Sequence, residues 1–578
     1  MVKTIPWRRA EPPRGYNILE RAGARRRSVP ASPPKGMEFM GALEPTADVA
    51  TLQGLVQLDG SDVDDVSDED GLVRMRSQVP AGEAWEGAFI VVLGDEGADP
   101  DSAFELLAGN VDGAIAASEA HWNHALEDLF SAEADLTTGS LPLLETSNDA
   151  LRRLYWWGAM GVLWFRRENP AGVRPRHYDT LMPRYWQSTT FIWDYSLSSM
   201  VHALSDPDEM RAQILHWIGL DINSLFGTEW LTGGPAGNWY SVNQYAMVRL
   251  VHDYVTITGD VGFLDEEVLA AGSRQTVGDH VREWALEWRN KRVNSALADY
   301  GQIDNLLECV STYVHEVASL NAANVWCMRT AADLSRQQGL EDEAAELERL
   351  ADELVPEILA LYREGEGFFN ARHPDGTLVP VAHCYDFSTV GTTIAGDLSE
   401  EMRREMVEFF NEHLRTPSWM RALSASDGNA GFSLRPDHQW NGAYPAWPAD
   451  SARAAIQLGG ARLVAEWLPG LARTANQGPP GQAHMVEEAV APVHGGARKA
   501  PPQYPYLIDW SCSSAGAWCE LVIESIFGVR RYADGSVTAE PELERFDPSA
   551  RLVGLRIAGR SYDGDAGDVH AVEEVEAG

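Results

Sequence analysis

About a dozen segments with helical periodicity, separated by long loops, constrain the fold of this 578-residue chain most. The segment 341–361 is typical. Its residues Leu347, Leu354 and Ile358 recur at the spacing that places side chains on one face of a helix. Connections inside a compact helical bundle are short, whereas loops longer than about 12–15 residues are usually functional. The pattern therefore predicts a mainly α chain, a toroid of paired helices whose long loops gather at one mouth.

The character of the sequence changes along the chain. Short β-rich segments bounded by Asp-Gly turns, such as Leu72 to Val79, come before the helical part and predict a small β-sandwich. Alternating runs such as Leu552 to Ile557 come after it and predict a short β-cap. The predicted organisation is an N-terminal arm (1–37), a β-sandwich (38–110), a helical linker (111–147), an (α/α)6 domain (148–530) and a small C-terminal β segment (531–578).

Composition and the lack of certain motifs exclude several classes of protein. The net charge of −40 repels nucleic acids and anionic membranes, so neither is expected as a partner. Five cysteines without a CxxC pair argue against a disulfide framework and a thiolate metal site. No phosphate-binding or dinucleotide fingerprint and no paired histidine spacing occurs, so neither a cofactor nor a metal ion is expected. The start of the chain has no apolar signal core, and a cytoplasmic protein is expected.

Aromatic residues in the predicted loops indicate a carbohydrate site. The chain has twenty tryptophans, and those in predicted loops include Trp230, Trp239, Trp419, Trp440 and Trp447. Flat aromatic faces bind the apolar faces of sugar rings, while carboxylates and amides bind the hydroxyls. Any single tryptophan can equally be a core residue. Their concentration beside Gly, Asn and His favours sugar binding, and His438 is expected to contact the sugar.

Two carboxyl groups are the candidates for catalysis. Cleavage of a glycosidic bond with inversion needs one protonated carboxyl as acid and one carboxylate as base. Asp304 lies in a loop ahead of a helix, and Glu488 lies in a loop between the last two predicted helices. Apolar neighbours of both can raise a carboxyl pKa toward the working range. Glu487 remains an alternative base if the register of the loop differs by one residue.

Four motifs occur in an order that is familiar from a known family. They are Phe191-Ile192-Trp193-Asp194, Gly301-Gln302-Ile303-Asp304-Asn305, the stretch from Trp440 to Trp447, and Glu488 with Pro492 and Gly495. In this order they resemble the six-hairpin glycosidases, in particular glycoside hydrolase family 63 and the bacterial glucosylglycerate and mannosylglycerate hydrolases. The resemblance covers roughly residues 148–530.

The resemblance implies an (α/α)6 toroid, with Asp304 as general acid and Glu488 as general base. The motifs and the residues of the predicted loops together give the set expected to bind substrate: Trp193, Asp194, Trp239, Tyr240, His438, Trp440, Trp447 and Trp510. Departures from the family pattern leave the substrate open. Leu306-Leu307-Glu308 replaces the usual S-P-R, Asn441 replaces an arginine, and Ala489 replaces a tyrosine.

The expected function is an exo-acting, inverting glycoside hydrolase that acts on a small glycoside or oligosaccharide. An inverting phosphorylase, a sugar epimerase or polysaccharide lyase, and a non-catalytic carbohydrate-binding protein are alternatives. An epimerase or lyase would need a His or Tyr base in the cleft. An α-rhamnosidase on the same toroid is disfavoured because its acidic motif is missing. The sequence does not indicate an oligomeric state.

Overall fold

A computed structural model describes residues 17–20, 25–28, 49–57, 65–69, 72–76, 81–82, 87–95, 100–168, 173–180, 189–229, 232–270, 273–301, 310–430, 442–475, 485–486, 498–499 and 513–572. These residues form two compact units, Met1–His124 and Ala125–Gly578. The chain is mainly α with small sheets, as expected. Within the described ranges, no helix combines the length and apolar character needed to cross a bilayer.

The first unit contains an antiparallel sheet followed by helices. Its elements are β1 Asn17–Glu20, β2 Arg25–Ser28, β3 Val49–Gln57, β4 Asp65–Glu69, β5 Leu72–Arg76, β6 Gly87–Asp95, α1 Pro100–Gly109 and α2 Val111–Asp128. The strand order is β1-β2-β3-β6, and β4 and β5 form a separate hairpin. On β6, Ile90 and Val92 are buried against Phe104 of α1, while Phe89 and Val91 are exposed. This alternation is that of a strand with one covered face.

These elements differ from the predicted boundaries. The first strand begins at Asn17, within the segment expected to be an arm, and α1 lies within the range expected for the sandwich.

The second unit is built from helices. They are α3 Asp149–Leu163, α4 Ile192–Ser196, α5 Ser199–Ser205, α6 Pro207–Ile218, α7 Asn243–Thr258, α8 Val277–Leu286, α9 Ala318–Gln337, α10 Glu341–Leu359, α11 Cys384–Thr393, α12 Glu400–Phe409, α13 Ala446–Gln457, α14 Ala461–Thr474, α15 Ala517–Glu520 and α16 Leu543–Phe546. The 3-10 segments are Val261–Asp265, Glu287–Lys291, Ala395–Asp397 and Ser513–Gly516. Phe410–Leu414 and Leu521–Ile526 continue α12 and α15 as π-helices.

Short strands connect these helices. They are β7 Leu143–Glu145, β8 Arg166–Glu168, β9 Arg176–Tyr178, β10 Thr189–Phe191, β11 Gly227–Glu229, β12 Pro235–Ala236, β13 Glu267–Ala270, β14 Ser273–Thr276, β15 Tyr362–Arg363, β16 Phe368–Arg372, β17 Leu378–Pro380, β18 Gly442–Ala443, β19 Met485–Val486, β20 Arg498–Lys499, β21 Val529–Arg531, β22 Val537–Ala539, β23 Arg551–Ile557, β24 Arg560–Gly564 and β25 Val569–Ala571. At the end of the chain, β23 pairs with β24 and also with β7, far earlier in sequence.

Helix contacts in the second unit follow a cyclic order. Helix α5 packs against α7, α7 against α9, α9 against α11, α11 against α13, and α13 against α15, which packs back against α5. We call these the inner helices, with α4 preceding α5. Helices α6, α8, α10 and α14 each pack on one or two inner helices, and α3 packs against α14 and α15.

Burial explains why the two sets of helices occupy different places. Helix α7 is buried on nearly every side, and its residues Ala246, Met247, Val248 and Leu250 are all inaccessible to solvent. A helix that is apolar all round is stable only when other elements surround it. Helix α10 instead buries one stripe that includes Leu347, and its acidic residues face solvent. Each fully buried leucine contributes roughly 1.5–3 kcal/mol, so these stripes hold the outer helices in place.

Local signals fix where several helices begin. The Asn148 side chain accepts hydrogen bonds from the backbone N–H groups of Ala150 and Leu151 at the start of α3. Thr276 and Asp279 form a reciprocal capping box at the start of α8. Such caps satisfy donors that the first turn of a helix leaves without partners.

Candidate functional site

The first turns of α4, α7, α9 and α11 surround a common space inside the cyclic arrangement of helices. We call this space the upper cavity, and its lining residues are Trp193, Ser241, Val242, Tyr245, Tyr313, Ser319, Leu320, Tyr385 and Thr389. Most of these residues lie at or just before the first turn of α4, α7, α9 and α11. The segments that join an outer helix to the next inner helix therefore meet here. Among the described residues, the upper cavity measures about 10 Å³, close to the minimum that one water needs, and we call its lining the floor of the candidate site.

Trp193, one of the residues predicted to bind substrate, lines the upper cavity. Strand β10 pairs with β11 and leads directly into α4, which places Trp193 and Asp194 in the first turn of that helix. The Trp193 ring lies 6.1 Å from the Tyr245 ring, and both side chains line the upper cavity. Asp194 is half-buried in the same turn.

Trp447 also reaches the axis. It is buried at the start of α13, where its ring lies 4.8 Å from Tyr385 and 5.5 Å from Tyr444. These contacts fix the orientation of the indole. Trp447 thus contributes to the wall behind Tyr385, and its face is largely covered by protein.

Trp239 and Tyr240, both predicted to bind substrate, do not line the upper cavity. The Trp239 ring is stacked 6.5 Å from Tyr300 on one side, and the Lys291 ammonium lies 4.2 Å from its centroid. Tyr240 packs 5.2 Å from Phe226. Both residues therefore support the segment ahead of α7, and their contact with a sugar stays a prediction.

Backbone hydrogen bonds join the described residues that come before and after the segment containing Asp304. The backbone N–H of Tyr300 donates to His315 O at 3.0 Å, and the N–H of His315 donates to Gly301 O at 2.8 Å. The Asp299 carboxylate accepts from the Gly301 N–H and lies 3.0 Å from His315 Nδ1. Gly301 has φ of 77°, a conformation that glycine adopts without strain. The two ends of this loop are therefore held together beside Trp239.

A small sheet anchors the segment before Glu488. Strand β19 ends two residues before Glu488 and pairs with β18, which precedes α13, and with β20. Trp419 donates its indole N–H to Ala443 O at 3.1 Å, and this bond holds β18 in place. The sheet therefore attaches β19 next to the segment that leads into α13. Five predicted site residues lie outside the described residues: Asp304, His438, Trp440, Glu488 and Trp510.

Asp386 is a feature of the site that sequence reasoning did not identify. This carboxyl is buried in the first turn of α11 and accepts hydrogen bonds from Tyr313 Oη at 2.8 Å and from the Ser319 N–H at 2.9 Å. Burial raises the pKa of Asp386 to about 7, even though both hydrogen bonds favour the ionised form. The sequence predicts a long loop over 364–398, but Cys384-Tyr385-Asp386 opens helix α11 there.

No protein-family profile matches this chain, and no curated protein sequence matches it either. Solved structures match this chain at low sequence identity, and the following three are among them. One is described as "Sialidase", with a TM-score of 0.54 and 12% identity over 95% of this chain and 58% of that one. A GH78 family rhamnosidase of Bacillus sp. GL1 gives a TM-score of 0.48 and 14% identity, over 73% and 40% of the two chains. A rhamnosidase from Klebsiella oxytoca with rhamnose bound gives 0.46 and 12%, over 68% and 66%.

This chain thus spans only 40% to 66% of the length of these three structures. The match above a TM-score of 0.5 shows likeness of fold. The chain therefore has a fold that also occurs in a protein named for glycosidase activity.

Proposed function

We propose that residues 148–530 form an (α/α)6 toroid and that the protein is a glycoside hydrolase of the exo-acting, inverting type. The observation that supports this proposal is the convergence of the first turns of α4, α7, α9 and α11 on an aromatic-walled floor. In sequence, the segment with Asp304 precedes α9 and the segment with Glu488 precedes α15. A small glycoside or oligosaccharide, bound above Trp193, is the substrate. The fold likeness to a protein named sialidase is compatible with this function.

In the proposed mechanism, Asp304 protonates the departing glycosidic oxygen while Glu488 activates a water on the opposite face of the sugar. Inverting pairs hold their carboxyl groups roughly 6.5–9.5 Å apart to leave room for that water. Trp193 supports the apolar face of the sugar from the floor, and Asp194 accepts hydrogen bonds from its hydroxyls. His438, Trp440, Trp447 and Trp510 complete the proposed binding set with Trp239 and Tyr240.

The leaving group provides the test of the acid. Asp304→Asn should nearly abolish cleavage of a natural glycoside and spare a glycosyl fluoride, because fluoride departs with little help from a proton. Glu488→Gln should abolish both activities, since no water is then activated. Glu487→Gln is the matched control and should keep wild-type turnover of both substrates. Wild-type turnover of Glu488→Gln with an inactive Glu487→Gln would move the base by one residue.

The mechanism also predicts the configuration of the product. Proton NMR during turnover without phosphate should show the sugar released with the opposite anomeric configuration. A retained configuration, or a glycosyl group covalently bound to either carboxylate, contradicts the inverting mechanism. Strict dependence on phosphate would instead identify a phosphorylase.

A lyase or epimerase is the second candidate, because three tyrosines line the upper cavity: Tyr245, Tyr313 and Tyr385. Both reactions need a base at a ring carbon. Burial raises the pKa of Tyr245 above its ordinary value, which disfavours the phenolate that such a base requires. An unsaturated sugar product that disappears in Tyr313→Phe would favour this candidate over hydrolysis.

A further inference from the structure

A second, larger cavity lies on the axis at the opposite end of the inner helices. We call it the lower cavity; it measures about 220 Å³, and its walls include Tyr245, His252, Trp326, Asp450, Gln457 and Arg530. Gln457 is the last residue of α13, and His252 lies in the second half of α7. Trp193, Tyr245, Tyr385 and Thr389 line both cavities and lie between them. Exposed Arg530 is part of the wall, so the lower cavity is reached from the face opposite the upper one.

The charged groups in this wall neutralise one another. Arg453 bonds to Glu520 at 2.9 Å and to Glu524 at 2.6 Å, and Arg531 bonds to Glu524 and to Asp253. Arg249 pairs with Glu520 in turn. The wall contains four arginines and four carboxylates, so its formal charge is balanced. An ion gains little from entering such a cavity, and a neutral ligand is favoured.

The remaining wall offers aromatic faces and polar groups. The Trp326 ring lies 5.4 Å from Tyr245 and 5.6 Å from His252, in edge-to-face arrangements. Within the described part of the chain, neither the Tyr245 hydroxyl nor the Gln457 amide is engaged in a hydrogen bond. His252 uses Nδ1 to contact Asp253 at 3.0 Å, which leaves Nε2 available to a ligand. Aromatic faces together with free hydroxyl, amide and imidazole groups suit a ring that carries several hydroxyls.

We propose that the lower cavity is a second binding site, for a neutral monosaccharide or a cyclic polyol. Its volume fits this ligand, because an engineered cavity of about 150 Å³ already accommodates benzene. The ring stacks on Trp326 while its hydroxyls bond to Tyr245, His252 and Gln457. The polar groups of this site, Tyr245, His252 and Gln457, belong neither to the proposed catalytic pair nor to the proposed sugar-binding set, so its test is separate from that of the proposed hydrolysis.

Binding of simple sugars to the whole protein tests this site. The probes are glucose, mannose, rhamnose and myo-inositol, with glucuronate and glucosamine as charged analogues, measured by saturation-transfer NMR and calorimetry. At least one neutral probe should bind, and Gln457→Leu should weaken that binding by tenfold or more. Gln337→Leu is the matched control, because Gln337 is exposed at the end of another inner helix and does not line the cavity. It should bind as the wild type does.

Two further variants decide between the cavities. Asp194→Asn, at the upper end, should leave this binding unchanged, and Gln457→Ala should reproduce the loss if the leucine variant does not fold. The proposal is overturned if no neutral probe binds, if a charged analogue binds more tightly, or if both Gln457 variants bind normally. Loss of binding in Asp194→Asn alone would assign the sugar to the upper cavity, and this result would also overturn the proposal.

Discussion

At the scale of single residues, Asp386 couples the floor of the site to pH. An ionised carboxylate needs more solvation than its two donors supply, so burial holds the proton on Asp386 up to a pKa of about 7. The unfolded chain releases that proton near the ordinary value of 3.8. Between these values the folded state binds more protons than the unfolded state. Asp386 therefore lowers the stability of the protein as the pH rises through this window.

Asp386→Asn should remove this dependence. From about pH 4 to 7, the free energy of unfolding of the wild type should fall by ~1.4 kcal/mol per pH unit more than that of the variant. Urea unfolding at several pH values measures both slopes. Tyr313→Phe removes a donor that favours the ionised carboxyl, so it should extend the falling region to higher pH. Parallel slopes for the wild type and Asp386→Asn would contradict a raised pKa.

Of the residues predicted from sequence to bind substrate, Trp193 and Trp447 lie in the first turns of α4 and α13, and their contact with a sugar stays a prediction. Trp239 and Tyr240 were predicted from their loop position alone, and the structure packs both against other aromatic rings. Asp386 was missed because its partners Tyr313 and Ser319 come from another part of the chain, which local sequence does not reveal.

At the scale of elements, helix α10 was predicted well and the short buried helix α11 was not. Helix α10 shows a regular stripe, and the predicted segment 341–361 nearly coincides with its observed bounds. Helix α11 is short, rich in Thr, Ser and Gly, and surrounded by α9 and α13, so it has no stripe to detect. Packing overrides its low intrinsic helix propensity. Helical periodicity also predicts a helix over 264–289, and this prediction is wrong in its first half, where β13 and β14 form a hairpin.

Helix α14 is held by a close backbone approach that a glycine permits. A Cβ at Gly470 would lie 1.9 Å from Pro417 O. On either side of it, Trp467 donates its indole N–H to Thr416 O and the Thr474 hydroxyl donates to Ser418 O. These two hydrogen bonds prevent α14 from moving away from residues 416–418.

Gly470→Ala should therefore destabilise the protein although alanine favours helix formation by ~1 kcal/mol. Overpacking of this kind costs about 1–3 kcal/mol, so we expect a lower free energy of unfolding in denaturant. Gly396→Ala is the control, because nothing lies within 4 Å of a Cβ there. A Gly470→Ala variant as stable as the control would show that α14 moves freely over this segment.

At the scale of the whole second unit, one carboxylate joins its first and last parts. Asp547 accepts hydrogen bonds from Thr146 Oγ1 at 2.6 Å, from the Ser147 N–H at 2.7 Å and from Ser549. Burial opposes ionisation of Asp547, but the hydrogen bonds from Ser549 and Thr146 outweigh it and lower the pKa. The start of α3 is thereby fixed to the segment after α16.

Asp547→Asn should lower the free energy of unfolding by roughly 1–3 kcal/mol, because it leaves donors without an ionised acceptor. Asp534→Asn is the matched control, since Asp534 is exposed and accepts only from neighbouring Ser536 among the described residues. Its effect should stay within about 0.5 kcal/mol. A lowered pKa stabilises the fold above the ordinary value of 3.8, so the difference between wild type and Asp547→Asn should shrink as the pH falls below it. Equal effects of the two substitutions at neutral pH would contradict a joining role for Asp547.

Because β7 pairs with β23, the chain could begin the second unit at a different residue and keep the same packing. Leu143 lies opposite Val553, so the opening strand and a closing strand are hydrogen-bonded neighbours. The succession of inner helices around the ring is closed by packing between α15 and α5, not by the chain. A circularly permuted chain, joined by a linker across these strands and cut between Gly459 and Gly460, retains every helix. The cyclic arrangement of helices is thus a property of their packing, and the chain is free to enter it at more than one point.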